Sequence, residues 1–451
     1  MNESFIINSE KFVITKKSGA IQAMVIKRDK YLNQLISNKG TDMIKVITGL
    51  RRCGKSYLLF NLFHDHLLSC GVENNQIIRI NLDEIENEKL HDACNLYNEI
   101  VSRIKSENIQ YYVLLDEVQY TIKKEDIKNK DRMIPIYGVL NSLIHRKNVD
   151  VYITGSNSKF LSKDVMTEFR GRGWEIHIQP LVFSEFIDAF AGNFEDAWEE
   201  YMNYGGLPYI LYLHSPEEKA RYLRKVLDEV YLKDISERYN IRNSDGMEEL
   251  INVISSSVGS LTNPQRIHTT FKSNNRLLSE ATIADYLVYL QDAFLIQRAD
   301  RYDVKGRKYI GTPSKYYFSD VGLRNARLNF RQTERTHLME NIIYNELIYR
   351  GYNVDVWVFP VNVAENGKHL KKQYEVDFVA NYFSKRYYIQ SALDISDSGK
   401  LNNEQRSFLN IPDGFKRIIV TEKAYMPWQT EEGTLVIGLK DFLLNPNSLE
   451  L

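Results

Sequence analysis

One segment constrains the fold of this chain more than any other, the run Lys45–Leu59, KVITGLRRCGKSYLL. Residues 43–48 are mostly apolar and β-branched, which predicts a buried strand, and residues 57–67 have an apolar helical pattern. Four residues between them match the fixed positions of G-x-x-x-x-G-K-[ST], namely Gly49, Gly54, Lys55 and Ser56. A strand, a glycine-rich loop and a helix in this order are typical of a phosphate-binding loop.

The residues of this loop have the chemistry that nucleotide phosphates require. Glycines let backbone N–H groups approach the phosphates, Lys55 brings positive charge to the β- and γ-phosphates, and Ser56 offers a hydroxyl to Mg²⁺. The residues predicted to contact the nucleotide are Gly49, Leu50, Arg51, Arg52, Cys53, Gly54, Lys55, Ser56 and Tyr57. Arg51 and Arg52 have a second interpretation, as contacts to a partner or to solvent.

The composition is that of a globular protein with several domains. At 451 residues, with 43% hydrophobic and 26% charged residues, the chain exceeds one ordinary core. The net charge of −1 gives no global attraction to nucleic acid or to an anionic membrane. We expect no membrane span and no secretory signal, and therefore a cytoplasmic protein. The three cysteines lack metal-ligand spacing, which indicates reduced thiols: Cys53, Cys70 and Cys94.

Strand and helix patterns alternate through the first 180 residues. Besides the strand before the loop, strands are predicted at 76–82, 111–115 and 149–154, with one helix from Glu84 to about Ser106. This alternation predicts a parallel sheet with helices on both faces. Beyond Pro180 the pattern becomes helical, which predicts a lid on the sheet domain.

The second half of the chain has two further units. Residues 245–320 carry three helical patterns and two strands, at 294–302 and 308–318, around a Lys305-Gly306 turn, which predicts a winged helix. An α/β pattern then resumes from about Thr336, with a helix over 338–350. Its predicted strands are 354–359, 374–380, 386–391 and 416–421.

Two acids follow the third strand and complete the predicted hydrolysis site. Asp116 is predicted to hold Mg²⁺ through water, and Glu117 to orient or deprotonate the attacking water. At the end of the fourth strand, Ser156 or Asn157 either contacts the γ-phosphate or is a polar turn residue.

Two arginines, Arg170 and Arg172, lie between the fourth strand and the predicted lid, in FRGRG. Each either stabilises transition-state charge, in its own chain's site or a neighbour's, or is an ordinary surface arginine.

The segments VITGLRRCGKSYLL, LLDEVQ, ITGSNSKFL, FRGRG and YGGLP, in this order, resemble a broad prokaryotic family of AAA-type ATPases. The resemblance covers nearly the whole chain from about residue 24. It implies an α/β P-loop NTPase with a helical lid, a winged-helix domain and a C-terminal PD-(D/E)xK nuclease-like domain. It also implies ATP and Mg²⁺ as ligands, Asn157 as the polar sensor and Arg172 as the arginine that acts on ATP. The predicted boundaries are 1–24 for a tail, 25–180 for the ATPase core, 181–240 for the lid, 241–325 for the winged helix and 326–451 for the nuclease-like domain.

The C-terminal segment departs from the nuclease pattern. In that fold a helix glutamate, a strand-end aspartate and an E-x-K hold Mg²⁺ and activate water. Glu340 and Asp377 match the two acids, but Gln390 and Ala392 stand where the second acid and the lysine belong. Because a hard cation loses an anionic ligand, we predict a nuclease fold without nuclease activity, unless another lysine or arginine, Lys385 or Arg386, replaces the lysine.

DNA is a candidate partner, and so is another protein. The predicted recognition helix, 279–292, has three acids and no Lys or Arg, so it is a poor major-groove reader. Basic residues follow it: Arg298, Arg301, Lys305, Arg307, Lys308, Arg324, Arg327, Arg331 and Arg335. They either bind DNA non-specifically, or make contacts between domains or with a protein partner. We favour the second interpretation. Oligomerisation stays open.

Three functions follow from the sequence. The leading hypothesis is an ATPase that acts as a nucleotide-driven switch or scaffold. The others are a DNA-processing ATPase in which ATP gates DNA binding or cleavage, and a nucleotide-dependent binding protein with negligible turnover.

Overall fold

The computed structural model describes residues 26–123, 134–156, 172–274, 276, 278–302, 313–331, 334–365, 368–409, 411, 413–423 and 426–451. Its first sheet has five parallel strands in the order β2-β3-β4-β1-β5. The strands are β1 (Ile44–Gly49), β2 (Ile77–Asn81), β3 (Tyr111–Asp116), β4 (Val149–Thr154) and β5 (Gly173–Ile178). The predicted parallel sheet of a P-loop domain is thereby confirmed.

The edge strand β5 is absent from the sequence prediction, which has four strands in this region. Its sequence, GWEIHI, interrupts the apolar residues with Glu175 and His177, and its exposure alternates as expected at a sheet edge. The central strands β1, β3 and β4 are buried along their whole length, because helices cover both faces of the sheet. Strand β5 pairs with β1 from Gly173 opposite Ile44 to Ile178 opposite Gly49.

Helices connect the strands of this sheet. They are α1 (Asp29–Ser37), α2 (Lys55–Tyr57), α3 (His64–Ser69), α4 (Ala93–Arg103) and α5 (Pro135–Ile144). A π-helical segment, Leu58–Phe63, joins α2 to α3, so the helix after the loop is continuous. The single helix predicted from Glu84 to Ser106 is wrong: a 3₁₀ segment, Ile85–His91, comes first. Helix α4 then begins at Asp92, whose carboxylate accepts hydrogen bonds from two backbone N–H groups.

The lid and the middle unit are mostly helical. Their helices are α6 (Phe183–Ala189), α7 (Phe194–Tyr204), α8 (Pro216–Lys225), α9 (Lys233–Tyr239), α10 (Ser244–Ser256), α11 (Pro264–Ser273) and α12 (Glu280–Asp292). Two antiparallel strands follow, β6 (Ile296–Ala299) and β7 (Lys315–Phe318), and then α13 (Val321–Arg327). Strand β6 is shorter than the predicted 294–302, whereas residues 308–312 of the second predicted strand and the Lys305-Gly306 turn lie outside the described residues. The winged-helix assignment stays a prediction.

The C-terminal unit has a sheet of its own, in the order β12-β13-β11-β10-β9-β8. Its elements are α14 (Arg335–Tyr349), β8 (Asn353–Glu365), β9 (Lys368–Tyr382), β10 (Lys385–Ala392), α15 (Ser398–Arg406), β11 (Lys416–Thr421), β12 (Trp428–Gln429), β13 (Leu435–Gly438) and α16 (Leu439–Leu444). The pairs β10–β11 and β11–β13 are parallel and the others antiparallel, which makes the sheet mixed.

The units pack closely against one another. One hydrophobic cluster extends from Ile26 in the sheet domain, through the lid and middle helices, to Phe442 near the C-terminus. Backbone pairing also joins the middle unit to the C-terminal sheet, because Val356 on β8 bonds to the backbone of Asp300 and Tyr302 at 2.8 and 2.7 Å. Along the described chain, no helix combines the length and the apolarity that crossing a membrane requires.

Candidate nucleotide site

Two glycines shape the loop between β1 and α2. Gly49 has φ +142° and Gly54 has φ +101°, in the region that favours glycine. A Cβ on Gly49 would lie 2.1 Å from the carbonyl oxygen of Ile178, so the pairing of β1 with β5 leaves no room for a side chain. The backbone of the loop is therefore held in an open curve at the C-terminal end of β1.

The side chain of Lys55 is buried within this curve. Its ammonium donates to the carbonyl oxygens of Gly49 and Leu50, both at 3.2 Å, and only 3% of the residue is exposed. Charge-assisted hydrogen bonds to phosphate oxygens are stronger than bonds to neutral carbonyls. The ammonium is thus at the centre of the loop with partners that an anion would replace.

Asp116 lies at the end of β3 and is surrounded by hydroxyl groups. Its carboxylate accepts hydrogen bonds from Ser56 and from Thr154 on the neighbouring strand β4. Burial, together with the adjacent Glu117 carboxylate, raises the pKa of Asp116 to about 6. A hydroxyl oxygen beside a carboxylate matches the oxygen ligands that Mg²⁺ prefers. The residues present therefore fit this cofactor.

Glu117 is held by polar neighbours in a left-handed backbone conformation, with φ +54°. Its carboxylate oxygens accept from the Ser156 hydroxyl at 3.1 and 3.3 Å, and one also accepts from the Gln119 amide. Its backbone N–H donates to Thr154 Oγ1 at 3.0 Å. The Thr154 hydroxyl therefore bonds to both acidic residues, which fixes their relative positions.

Sequence reasoning assigned no role to Thr154 or Gln119. The available signal for Thr154 was a hydroxyl at the end of the strand that neighbours the two acids. Of the two residues proposed as the polar sensor, Ser156 lies beside Glu117, whereas Asn157 is outside the described residues, as is Arg170. A sensor role for either polar residue stays a prediction.

Arg172 lies at the opposite end of β1 from the phosphate-binding loop. It precedes β5, and its carbonyl oxygen accepts from the backbone N–H of Ile44 at the start of β1. The phosphate-binding loop begins at the other end of β1, and a strand rises about 3.3 Å per residue, which places the two roughly 16 Å apart. This distance favours action on a neighbouring chain over action in cis, and the role of Arg172 stays a prediction.

The lid contacts the loop directly. The Tyr231 hydroxyl donates to the carbonyl oxygen of Arg51, and the Tyr222 hydroxyl is hydrogen bonded to the Arg52 side chain. Pro208 lies beside the loop as well, because a Cβ on Gly54 would be 3.8 Å from its ring. Both arginines that flank the glycines thus have partners within the chain.

A buried carboxylate fixes the lid turn that contains Gly205 and Gly206. Asp320 accepts from the backbone N–H groups of Gly206 at 2.7 Å and of Leu323 at 3.1 Å, and the N–H groups of Leu207 and Gly322 face the same carboxylate. A Cβ on Gly205, which has φ +73°, would lie 2.3 Å from an Asp320 oxygen. Burial raises the pKa of Asp320 to about 6 despite the four N–H groups. The turn is therefore tied to the start of α13.

The cysteines have no metal-binding arrangement. Cys53 is buried, its thiol donates to the carbonyl oxygen of Ile178 at 3.5 Å, and burial raises the pKa of the thiol. Cys70 and Cys94 are exposed, and all three are free thiols. Cys53 thus packs the loop against β5 and has no reactive thiolate.

The predicted C-terminal acids are brought together, but around a lysine. Lys315 Nζ lies 2.7 Å from Glu340 Oε1 and 3.2 Å from Asp377 Oδ1. Gln390 accepts weakly from the Asp377 N–H at 3.4 Å, and Ala392 is buried at the end of β10. In the described parts of the chain, no group of three or more His, Cys, Asp or Glu residues is arranged to hold a metal.

The two residues proposed to replace the missing lysine of the nuclease pattern do not do so. Lys385 is paired with Glu450 at 2.6 Å and Arg386 with Asp413 at 3.4 Å. Both pairs lie beyond the β9–β10 turn, because residues 385 and 386 begin β10 whereas Gln390 and Ala392 end it. Neither residue therefore stands where the lysine of the nuclease pattern belongs.

Several of the basic residues considered for DNA binding are engaged within the chain. Their partners are Asp300 for Arg298, the Val358 carbonyl for Arg301, the Ser255 carbonyl for Arg324, Glu248 and Asn252 for Arg327, and Glu199 and Glu422 for Arg335. Lys305, Arg307 and Lys308 lie outside the described residues. Arg301 and Arg335 thus contact other units, whereas Arg298, Arg324 and Arg327 bond within the middle unit, and the choice between DNA binding and contacts between domains stays a prediction.

The parallel sheet, the phosphate-binding loop and the paired acids are those of a P-loop nucleotide-binding domain. Residues 41–187 match a family model described as an AAA domain, and residues 195–334 match a domain of unknown function (DUF8612). The chain is 34% identical over 426 residues to an uncharacterized protein of Haemophilus influenzae, covering 93% of this chain and 99% of that protein. It belongs to the same family as that protein.

A second relative and two solved structures are also similar to this chain. The uncharacterized protein MJ1544 of Methanocaldococcus jannaschii is 28% identical over 449 residues, which are 92% of each chain. Among solved structures, the Walker-type ATPase PABY2304 of Pyrococcus abyssi is similar over 67% of this chain and 96% of its own, at 15% identity and a TM-score of 0.47. The Aeropyrum pernix ORC1 protein, in complex with DNA, is similar over 67% and 92%, at 15% identity and a TM-score of 0.27.

Proposed function

We propose that the protein is a Mg²⁺-dependent ATPase whose nucleotide state moves the lid and the middle unit relative to the C-terminal unit. The observation that carries this proposal is the hydrogen bond from the lid residue Tyr231 to the backbone of Arg51 in the phosphate-binding loop. A loop that changes its partners when it binds phosphate must change this contact. The chain would then act as a switch or scaffold.

Each residue of the site has a distinct task in this proposal. Lys55 exchanges its loop carbonyls for phosphate oxygens, and Ser56 and Asp116 would hold Mg²⁺, which when bound offsets phosphate charge. Glu117 orients the attacking water and accepts its proton, once the carboxylate leaves Ser156 and Gln119. Thr154 keeps the backbone of Glu117 beside Asp116 throughout.

Two routes connect the site to the middle unit. The first runs through the lid turn, because Asp320 binds Gly206 on one side and begins α13 on the other. The second runs through β5, where the half-buried ring of His177 packs on Phe294 with ring centroids 4.7 Å apart. Burial and nearby Lys55 lower the pKa of His177 to about 4, so the ring is neutral at physiological pH.

Tyr231→Phe is the variant that tests this coupling. We expect it to bind ATP, because the phosphate ligands are unchanged, but to lose the nucleotide-dependent change in hydrogen exchange at β6 and β7. Tyr286→Phe is the matched control, since it also removes a tyrosine hydroxyl that donates to a carbonyl, that of Asn243, away from the loop. An ATP-dependent exchange change that persists in Tyr231→Phe, or that wild type lacks, would count against the switch.

The DNA-processing alternative rests on the basic residues that the described contacts do not engage. It predicts ATP turnover that rises with added duplex DNA and falls back as salt increases, because phosphate contacts release counterions. Reversing the charges of Arg307 and Lys308 should then remove the stimulation. We expect no such stimulation under the switch proposal, and a steady-state hydrolysis rate distinguishes both from a binding protein with negligible turnover.

A further inference from the structure

Lys315 is a lysine buried in the interface between the middle and C-terminal units. It begins β7, only 1% of the residue is exposed, and its ammonium reaches three carboxylates. Glu340 and Asp377 lie at 2.7 and 3.2 Å, and Glu375 is also in contact. Burying an ammonium is costly unless it is paired, so this arrangement requires the acids as much as they require the lysine.

The surrounding elements hold the cluster in place. Lys315 and Tyr317 share one face of β7 because they are two residues apart, and the Tyr317 hydroxyl donates to Glu340 at 2.6 Å. On α14, the Asn341 amide bonds to both the N–H and the carbonyl of Phe318, at 2.8 and 2.7 Å. These bonds hold helix α14 against β7 and keep Glu340 beside the ammonium group of Lys315.

Room for the cluster is provided by the backbone as well. A Cβ on Gly259, which has φ +73°, would lie 3.0 Å from both carboxylate oxygens of Glu340. On β9, Glu375 and Asp377 share a face, and Asp377 also accepts from the N–H of Ser391 at 3.0 Å. Carboxylates from two segments, α14 and β9, therefore converge on the ammonium group of a third, β7.

We propose that Lys315 is the resident cation of this acid cluster, an internal ammonium ligand in the place of a divalent ion, and that it joins β7 to the C-terminal unit. The ammonium nitrogen occupies the space between the carboxylate oxygens of Glu340, Glu375 and Asp377. A divalent ion bonds oxygen at about 2.0–2.6 Å and cannot share this centre with a lysine. Burial opposes the charge of Lys315, but the three carboxylates raise its pKa above the ordinary value, so it stays an ammonium.

This inference does not depend on ATP hydrolysis. The acid cluster has a cation that the chain itself supplies, Lys315. The departure from the nuclease pattern at Gln390 and Ala392 does not by itself imply this cation. Removing the ammonium would leave three partly buried carboxylates without a cation. Such a cluster is expected either to bind a metal ion or to destabilise the fold.

The test measures Mn²⁺ binding to the full chain by electron paramagnetic resonance without nucleotide. We expect wild type and Asp377→Asn to bind the same number of Mn²⁺ ions. Lys315→Met should bind one ion more than wild type, and the double variant Lys315→Met/Asp377→Asn should lack that additional ion. Lys385→Met is the matched control, because it removes an exposed lysine that pairs with Glu450, and it should gain none. The proposal fails if wild type binds an ion that Asp377→Asn removes, or if Lys315→Met gains no ion and unfolds at the wild-type temperature.

A second comparison keeps the proposal testable if Lys315→Met does not fold. Adding Glu340→Gln to that variant removes one of the unpaired charges, and we expect it to restore folding and raise the unfolding temperature. A double variant that is no more stable than Lys315→Met would show that charge neutralisation is not what Lys315 provides, and would overturn the proposal.

Discussion

Glu117→Gln is expected to abolish ATP turnover while ATP still binds. The amide keeps the size of the carboxylate and can accept from Ser156, but it cannot take a proton from water. General-base catalysis contributes typically about 10²–10⁴-fold, so kcat should fall by about that factor. Lys55→Ala should lose turnover for another reason, since it removes the charge that binds the β- and γ-phosphates.

Steady-state phosphate release and a fluorescent ATP analogue measure the two effects separately. Glu84→Gln is the matched control, because it makes the same change in an exposed glutamate after the neighbouring strand β2. It should leave turnover unchanged. Wild-type hydrolysis by either Glu117→Gln or Lys55→Ala would refute the assignment of the site.

Asp320→Ala is expected to give the largest loss of stability among single carboxylate replacements considered for this chain. It leaves the N–H groups of Gly206 and Leu323 without their shared acceptor and removes the carboxylate that the N–H groups of Leu207 and Gly322 face. A buried donor without a partner costs about 1–3 kcal/mol, and water can reach part of the vacated space. We therefore expect the free energy of unfolding to fall by about 3–5 kcal/mol.

Urea unfolding followed by tryptophan fluorescence, to which Trp198 in the lid contributes, measures this effect. Asp320→Asn, which keeps one oxygen acceptor, should lose less. Asp397→Ala is the matched control, because Asp397 also begins a helix, α15, but is exposed, and it should lose only about 1 kcal/mol. Equal losses for Asp320→Ala and Asp397→Ala would contradict the role given to the buried carboxylate.

The sequence predicts the arrangement of the candidate nucleotide site where its residues are close together in the chain. Gly49, Gly54, Lys55 and Ser56 lie within one loop, and the fixed spacing carries their geometry. Asp116 and Glu117 follow an apolar strand, so their place at the sheet edge follows from the parallel topology. Thr154 could not be assigned a role in this way, because its two hydrogen bonds depend on which strand lies beside β3.

The errors have a physical cause in tertiary structure. Strand β5 was missed because polar residues alternate with apolar ones along it, as in an edge strand. Without that strand, the end of the sheet at which Arg172 lies could not be predicted. The cluster of acids around Lys315 was missed because Lys315, Glu340 and Asp377 come from three separate segments. The signal for it was a lysine in the otherwise apolar and aromatic strand KYYF.

The backbone pairing of residues 300–302 with β8 has a consequence for dissecting this protein. It covers an outer strand of the C-terminal sheet, whose free N–H and C=O groups would otherwise be open to pairing with another chain. A fragment that begins at α14 would expose that strand and lack Lys315, so it would tend to self-associate. The smallest well-behaved C-terminal fragment should therefore begin before β6.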